Sequence, residues 1–152
     1  MRKKIALLLA LVCLVSALAG CGGKKEMEPQ AFVDELLSGA AFTDSLNRLE
    51  DDVVPILYEV ETADYTSAIV YAGTAATAEE IAVFEAVDAA AADRLLTAAQ
   101  KRVDEQIESY KDYGPAAAMT LENAIVKKSG NYVVVVVCTD SAAAKKIADK
   151  YI

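Results

Sequence analysis

Apolar positions along the chain follow three different patterns, and the switches between them mark its elements. Residues 5–15 form an unbroken apolar run of eleven, short of the ~20 residues that span a bilayer. Behind Pro29, which suits a first helical turn, Phe32, Val33, Leu36 and Leu37 share a face and predict a helix ending near Gly39. Leu46 and Leu49 suggest a helical turn within residues 42–50, with Thr43 or Asp44 as its cap. A short helix carrying Val53, Ile56, Leu57 and Tyr58 is expected next, capped by Asp52 and with Pro55 in its first turn.

From residue 66 a larger pattern occurs twice. TSAIVY at 66–71 is rich in strand formers, 73–78 reads as a loop, and IAVFEAV at 81–87 alternates in part with period two. Asp88 then caps a long helix to about Tyr110, closed by Tyr113, Gly114 and Pro115. Its Ala92, Leu95, Ala99, Val103, Ile107 and Tyr110 step by three or four along one face. The second unit has a strand at 123–128, a tight turn at Ser129, Gly130 and Asn131, and a strand YVVVVVC at 132–138. Asp140 or Ser141 caps its helix, in which Ala144, Ile147, Ala148 and Tyr151 share a face. The spacing of Thr77 and Glu80 also matches a helical capping box, but the Ile, Val and Phe content decides for strand at 81–87.

The expected fold is α+β: a four-stranded, mainly antiparallel sheet from two tandem ββα units, with helices on one face and N-terminal helices besides. The valines at 133–137 make their strand apolar on both sides, so it should be central, with the N-terminal helices covering the second face.

Arg2, Lys3 and Lys4 precede the first apolar run, and Leu18-Ala19-Gly20-Cys21 follows it. Together they resemble the signal and lipobox of bacterial lipoprotein precursors. The resemblance implies that residues 1–20 are a signal peptide cut between Gly20 and Cys21, that the Cys21 thiol carries diacylglycerol, and that the new amine often takes a further acyl chain such as palmitate. Two or three chains make a stable anchor. An ordinary secretory signal cut near the same alanines, leaving Cys21 a free thiol, is the alternative. Residues 21–29 then form the lipidated cysteine and a polar tether, and 30–152 the α+β domain, at the outer face of the cytoplasmic membrane.

This processing changes the charge. The whole chain has 15 Lys+Arg against 23 Asp+Glu, a net −8; without Arg2, Lys3 and Lys4 the balance is 12 against 23, a net −11. Lys24 and Lys25 can sit among anionic headgroups while so acidic a body is repelled, so the domain is expected to stand off the membrane. The same sign argues against a nucleic-acid partner. The absence of histidine excludes Ser-His-Asp and Cys-His machinery and the usual mixed Cys/His zinc site. With Cys13 removed and Cys21 lipidated, Cys138 has no partner for an intramolecular disulfide, and its apolar strand marks it as a buried, inert thiol.

The remaining candidates are carboxylate clusters. Glu50, Asp51 and Asp52, with Asp44 nearby, lack the alternating spacing of a calcium loop and read as a solvated turn with a cap; Glu79 and Glu80 read as cap and surface charges. The loop Gly73-Thr74-Ala75-Ala76-Thr77 lacks the lysine of a phosphate loop and reads as a hairpin connection. Tyr110, Tyr132 and Tyr151 fall on expected core faces, leaving Tyr58, Tyr65, Tyr71 and Tyr113 as surface contacts. Arg94, Lys101, Arg102, Asp104, Glu105 and Glu108 read as a solvated helix face. No catalytic, cofactor-binding or metal-binding residue is assigned.

The lipobox, then Leu57-Tyr58, Ala78-Glu79-Glu80-Ile81-Ala82-Val83-Phe84, RVDEQIESYKDY at 102–113, Leu121-Glu122-Asn123-Ala124 and Gly130-Asn131-Tyr132-Val133-Val134-Val135 resemble a family of small lipoproteins of Gram-positive bacteria that carries a domain of unknown function. The resemblance implies location and brings no activity or cofactor. The expectation is a non-catalytic binding or interaction module whose partner is a cell-envelope protein or a small ligand. The alternative is a carboxylate-dependent hydrolase of cell-envelope glycans, with a pair drawn from Glu50, Asp51, Asp52, Glu79 and Glu80 standing ~5–9.5 Å apart. A two-lobed solute-binding protein would need more than the 132 residues left after cleavage.

Overall fold

A computed structural model describes residues 27–152; the expected signal segment and Gly20–Cys21 cleavage point, Cys21 itself, Lys24 and Lys25 lie outside the described residues. The elements in order are α1 (Pro29–Gly39), β1 (Asn47–Arg48), α2 (Val54–Tyr58), a 3-10 turn (Thr62–Asp64), β2 (Tyr65–Ala72), β3 (Glu80–Ala86), α3 (Ala89–Tyr110), α4 (Pro115–Leu121), β4 (Ile125–Ser129), β5 (Tyr132–Val137) and α5 (Ser141–Tyr151). The strands form one sheet in the order β1-β2-β3-β5-β4, each neighbour antiparallel. The segment expected as strand at 81–87 is strand and not helix, with bounds Glu80–Ala86, as its β-branched and aromatic content demanded.

β3 and β5 pair at the centre, Ala82 opposite Val135 and Phe84 opposite Val133. Val133, Val135 and Val137 point with Ala82, Phe84 and Ala86 into a core formed with α2, α3 and α4. Val134 and Val136 point with Ile81 and Val83 into a second core formed with α1 and α5. The valine run is thus buried on both faces, and α1 supplies part of the second cover.

Three expectations need correction. The sheet has five strands, because Asn47 and Arg48 extend against Ala72 and Tyr71 and the Leu49 N–H donates to Val70 O; edge pairing replaces the expected helical turn. The long helices of the two ββα units do not share a face: α3 packs on one side and α5 on the other. β3 and β5 are adjacent and antiparallel, so a two-fold axis relating the units would stand perpendicular to the sheet and leave both helices on the same side. The repeat is therefore one of chain order, not of space. Finally, α2 begins after Val53 with no side-chain cap, so Asp52 belongs to the turn before it. The short helix α4 was not foreseen, since Pro-Ala-Ala-Ala-Met carries no spaced large apolar residues, yet it buries Ala117, Ala118 and Leu121.

The helix starts behave as read. Asp88 accepts from Ala91 N at 2.7 Å, and Asp140 from Ala143 N at 2.9 Å. Gly130, at φ +58°, is the first of the two central residues of the β4–β5 turn, where a side chain would be strained. Phe84, fully buried in the first core, stands edge-on to Tyr58 at 4.9 Å and to Tyr65 at 5.8 Å between ring centroids. Phe84→Ala is expected to cost about 3–5 kcal/mol, read as a shift of the urea unfolding midpoint at unchanged slope.

Candidate functional site

Glu79 and Glu80, expected at the surface, are each 2% exposed, the buried charged residues among those described. Glu79 immediately precedes β3 and Glu80 is its first residue, and successive residues of extended chain face opposite sides, so the two carboxylates diverge into different surroundings. Each is held by residues far away in sequence.

Glu79 ties three segments together at the end of the sheet. Its carboxylate accepts from Thr43 N at 2.9 and 3.0 Å, Thr43 Oγ1 at 3.1 Å, Asp44 N at 2.8 Å and Thr139 Oγ1 at 2.8 Å. Asp44 in turn closes the β2–β3 hairpin loop, accepting from Thr74 N at 2.6 Å, Thr77 Oγ1 at 3.2 Å and Ser45 N at 2.8 Å. Thr43 and Asp44, proposed from sequence as helix caps, instead hold a loop. Hydrogen bonds from the Thr74 side chain and backbone keep the Asp44 carboxyl below its ordinary 3.8.

Glu80 lies under α3. Arg102 reaches it with Nη2 to Oε2 at 2.5 Å and Nε to Oε1 at 3.1 Å, a two-pronged pair, and its Nη1 donates to Leu57 O at 3.3 Å. The Tyr58 hydroxyl donates to the same carboxylate, and the guanidinium lies 5.1 Å from the centre of the Tyr58 ring. Tyr58 is buried, not the surface contact expected. Burial, then the Glu80 charge, pushes its hydroxyl well above 10.0. Burial alone would lower Arg102, but the hydrogen bonds and charge of Glu80 outweigh it and hold the guanidinium above its ordinary value. Arg102 was assigned to the solvated face of α3 because its position, one residue before Val103, gives no sign of an acid placed 22 residues earlier.

Beside Glu79 a cleft of about 460 Å³ opens between α4, the β2–β3 loop and the start of α5. Its lining is apolar at Ala76, Ala116, Ala117 and Met119 and polar at Thr43, Thr77, Thr120, Asn123, Thr139 and Ser141. Cys138 also lines it, 3% exposed, its thiol pushed up to about 11, first by burial and then by Glu79 and Asp140. A thiol with that value stays protonated at neutral pH, as the inert reading requires. The Tyr110 hydroxyl donates to Ala75 O and fixes the loop to the end of α3, while Gly114 lets the chain turn there: a Cβ on it would stand 2.7 Å from the Tyr110 ring.

The other acidic cluster stays apart. Glu50, Asp51 and Asp52 are exposed on the turn before α2, with Arg48 3.6 Å from Asp51. Tyr113 is exposed as expected, and Tyr110 and Tyr151 are buried. Among the described residues, no group of three or more His, Cys, Asp and Glu is placed to hold a metal ion. No described helix is long and apolar enough to cross a membrane.

Two variants test these roles. Arg102→Ala leaves Glu80 buried and unpaired and is expected to cost about 3–5 kcal/mol in urea unfolding, with part of the loss regained when Glu80→Met is added. Asp44 has a lowered folded value, so its contribution is present above pH 3.8 and is lost as pH falls below that through the folded value. Asp44→Asn should therefore flatten the acid limb of stability below pH 3.8, measured by urea midpoints at a series of pH values.

Residues 41–138 match the family described as domain of unknown function (DUF4358). The matched segment runs from just before β1 to Cys138 and so contains the whole sheet, Glu79, Glu80, Arg102 and most of the cleft. No curated protein and no solved structure matches the chain.

Proposed function

The chain belongs to the DUF4358 family, and from that premise we propose that it is a lipoprotein of Gram-positive type, anchored through Cys21 at the outer face of the cytoplasmic membrane, that acts by non-catalytic binding at the cleft beside Glu79. The observation that carries the binding half is how Glu79 is used. Its two oxygens already accept from two backbone amides and two hydroxyls, so the acid nearest the cleft is engaged in holding Thr43, Asp44 and Thr139 in place. A glycan hydrolase needs two carboxylates across one space. Glu80 faces α3 and is bound by Arg102 and Tyr58, and the acids at 50–52 lie on a separate exposed turn.

The cleft lining indicates the ligand. Hydroxyl and amide groups beside alanines in the lining suit a small uncharged ligand, or a loop of a cell-envelope protein, bearing hydroxyls and amides of its own. Membrane attachment rests on Leu18-Ala19-Gly20-Cys21 behind a basic and apolar leader.

The anchor is tested by feeding an alkyne-tagged fatty acid to Gram-positive cells that express the full chain. The chain should take up the tag, and Cys21→Ala should abolish uptake and leave uncleaved or released protein. Equal labelling of the variant would refute lipidation at Cys21.

A further inference from the structure

α1 and α5 lie antiparallel on one face of the sheet, and this fixes where the tether leaves the domain. At one end Phe32 meets Tyr151 edge-on at 5.1 Å, and Lys150 and Tyr151 bond to Glu35. At the other end Asp140 N donates to Ala41 O at 3.4 Å. Met27, the first described residue, is buried in the same cluster as Phe32, Tyr151 and Ile152, so the chain enters the domain at a defined point beside the last turn of α5.

The cleft is at the opposite pole. Thr43 lies just beyond the end of α1, and Cys138, Thr139 and Ser141 lie at the start of α5. α3 runs between the poles. It starts after β3 at the tether end, where Ala86 N bonds to the β4–β5 turn at Asn131, and it ends where Tyr110 holds the loop beside the cleft. Its 22 residues span ~33 Å. Met27 follows Cys21 by six positions, a reach of at most ~20 Å.

We infer that the anchored domain stands with the Met27–Ile152 end toward the bilayer and the cleft directed away from it, so that the cleft meets a partner arriving from the wall side and not a lipid. This rests on the anchor proposed above and adds to it which surface faces outward.

The test uses the full lipidated chain in vesicles containing phosphatidylglycerol, with a donor dye on one introduced cysteine and an acceptor dye on the headgroups. Asn131→Cys places the donor on the exposed turn at the tether end; Met119→Cys places it at the cleft, where the native side chain is 65% exposed. Cys138 stays unlabelled because it is buried and protonated. Energy transfer from position 131 should exceed that from position 119 at least about twofold, given poles ~33 Å apart. Equal or stronger transfer from 119 in chain that sediments with the vesicles overturns the orientation and leaves the anchor standing. Chain that stays in the supernatant overturns both.

Discussion

A strand that is apolar on both faces cannot tolerate water on either, and this constraint organises the molecule. Val133 to Val137 occupy the centre of β5, with alternate side chains entering two separate cores. One helical layer would leave Val134 and Val136 exposed beside Ile81 and Val83. The second layer, α1 with α5, follows from that need. Once α1 must lie on this face and run antiparallel to α5, the point at which the tether enters is no longer free. The burial of valines therefore determines which end of the molecule is joined to the membrane segment proposed for it.

The sheet end raises a different problem. Two acids stand at the start of β3, Glu79 just before it and Glu80 as its first residue, and the packing of both faces leaves neither in water. Each must therefore be fully bonded or be a large liability. Glu79 is satisfied by amides and hydroxyls, Glu80 by a guanidinium and a phenol, and the two solutions tie different parts of the chain to the strand. Glu80 brings α2 and α3 together through Tyr58 and Arg102. Glu79 joins the segment after α1 to the end of β5 and so shapes one wall of the cleft. Replacing such a network by apolar residues need not lower stability, so what these acids supply is position: they set which segments meet.

The sequence disclosed elements whose signals are local. Pro29 with its apolar face, Asp88 and Asp140 as caps, the valine run and the Gly130 turn each rest on residues within a few positions of one another. β1 was missed because two residues have no periodicity; Asn47 and Arg48 are strand only because β2 offers an edge. Tyr58 and Arg102 were misread because their partner is 22 residues away from each. The carboxylates at 79 and 80 were read as exposed for the reason that usually holds for acids, and that reading fails where distant donors converge on them. The opposite placement of α3 and α5 was equally hidden, since two amphipathic helices with the same period say nothing of which side of a sheet each will take.

The site was legible only as a list of residue types. Asp44, Glu79 and Cys138 were singled out separately, and nothing in their spacing joined them. Thr43, Thr139 and Asn123 complete the cleft and bear no motif. The segment matched to the family ends at Cys138, so it includes most of the cleft lining and excludes α1 and α5. The matched segment thus carries most of the candidate binding surface, while the layer outside it carries the link to the proposed tether. Cys138 belongs to the same core as Phe32, Val33 and Leu36 and also lines the cleft, so the α1–α5 layer and the candidate binding surface meet at the end of β5, and repacking of that layer would be felt in the cleft.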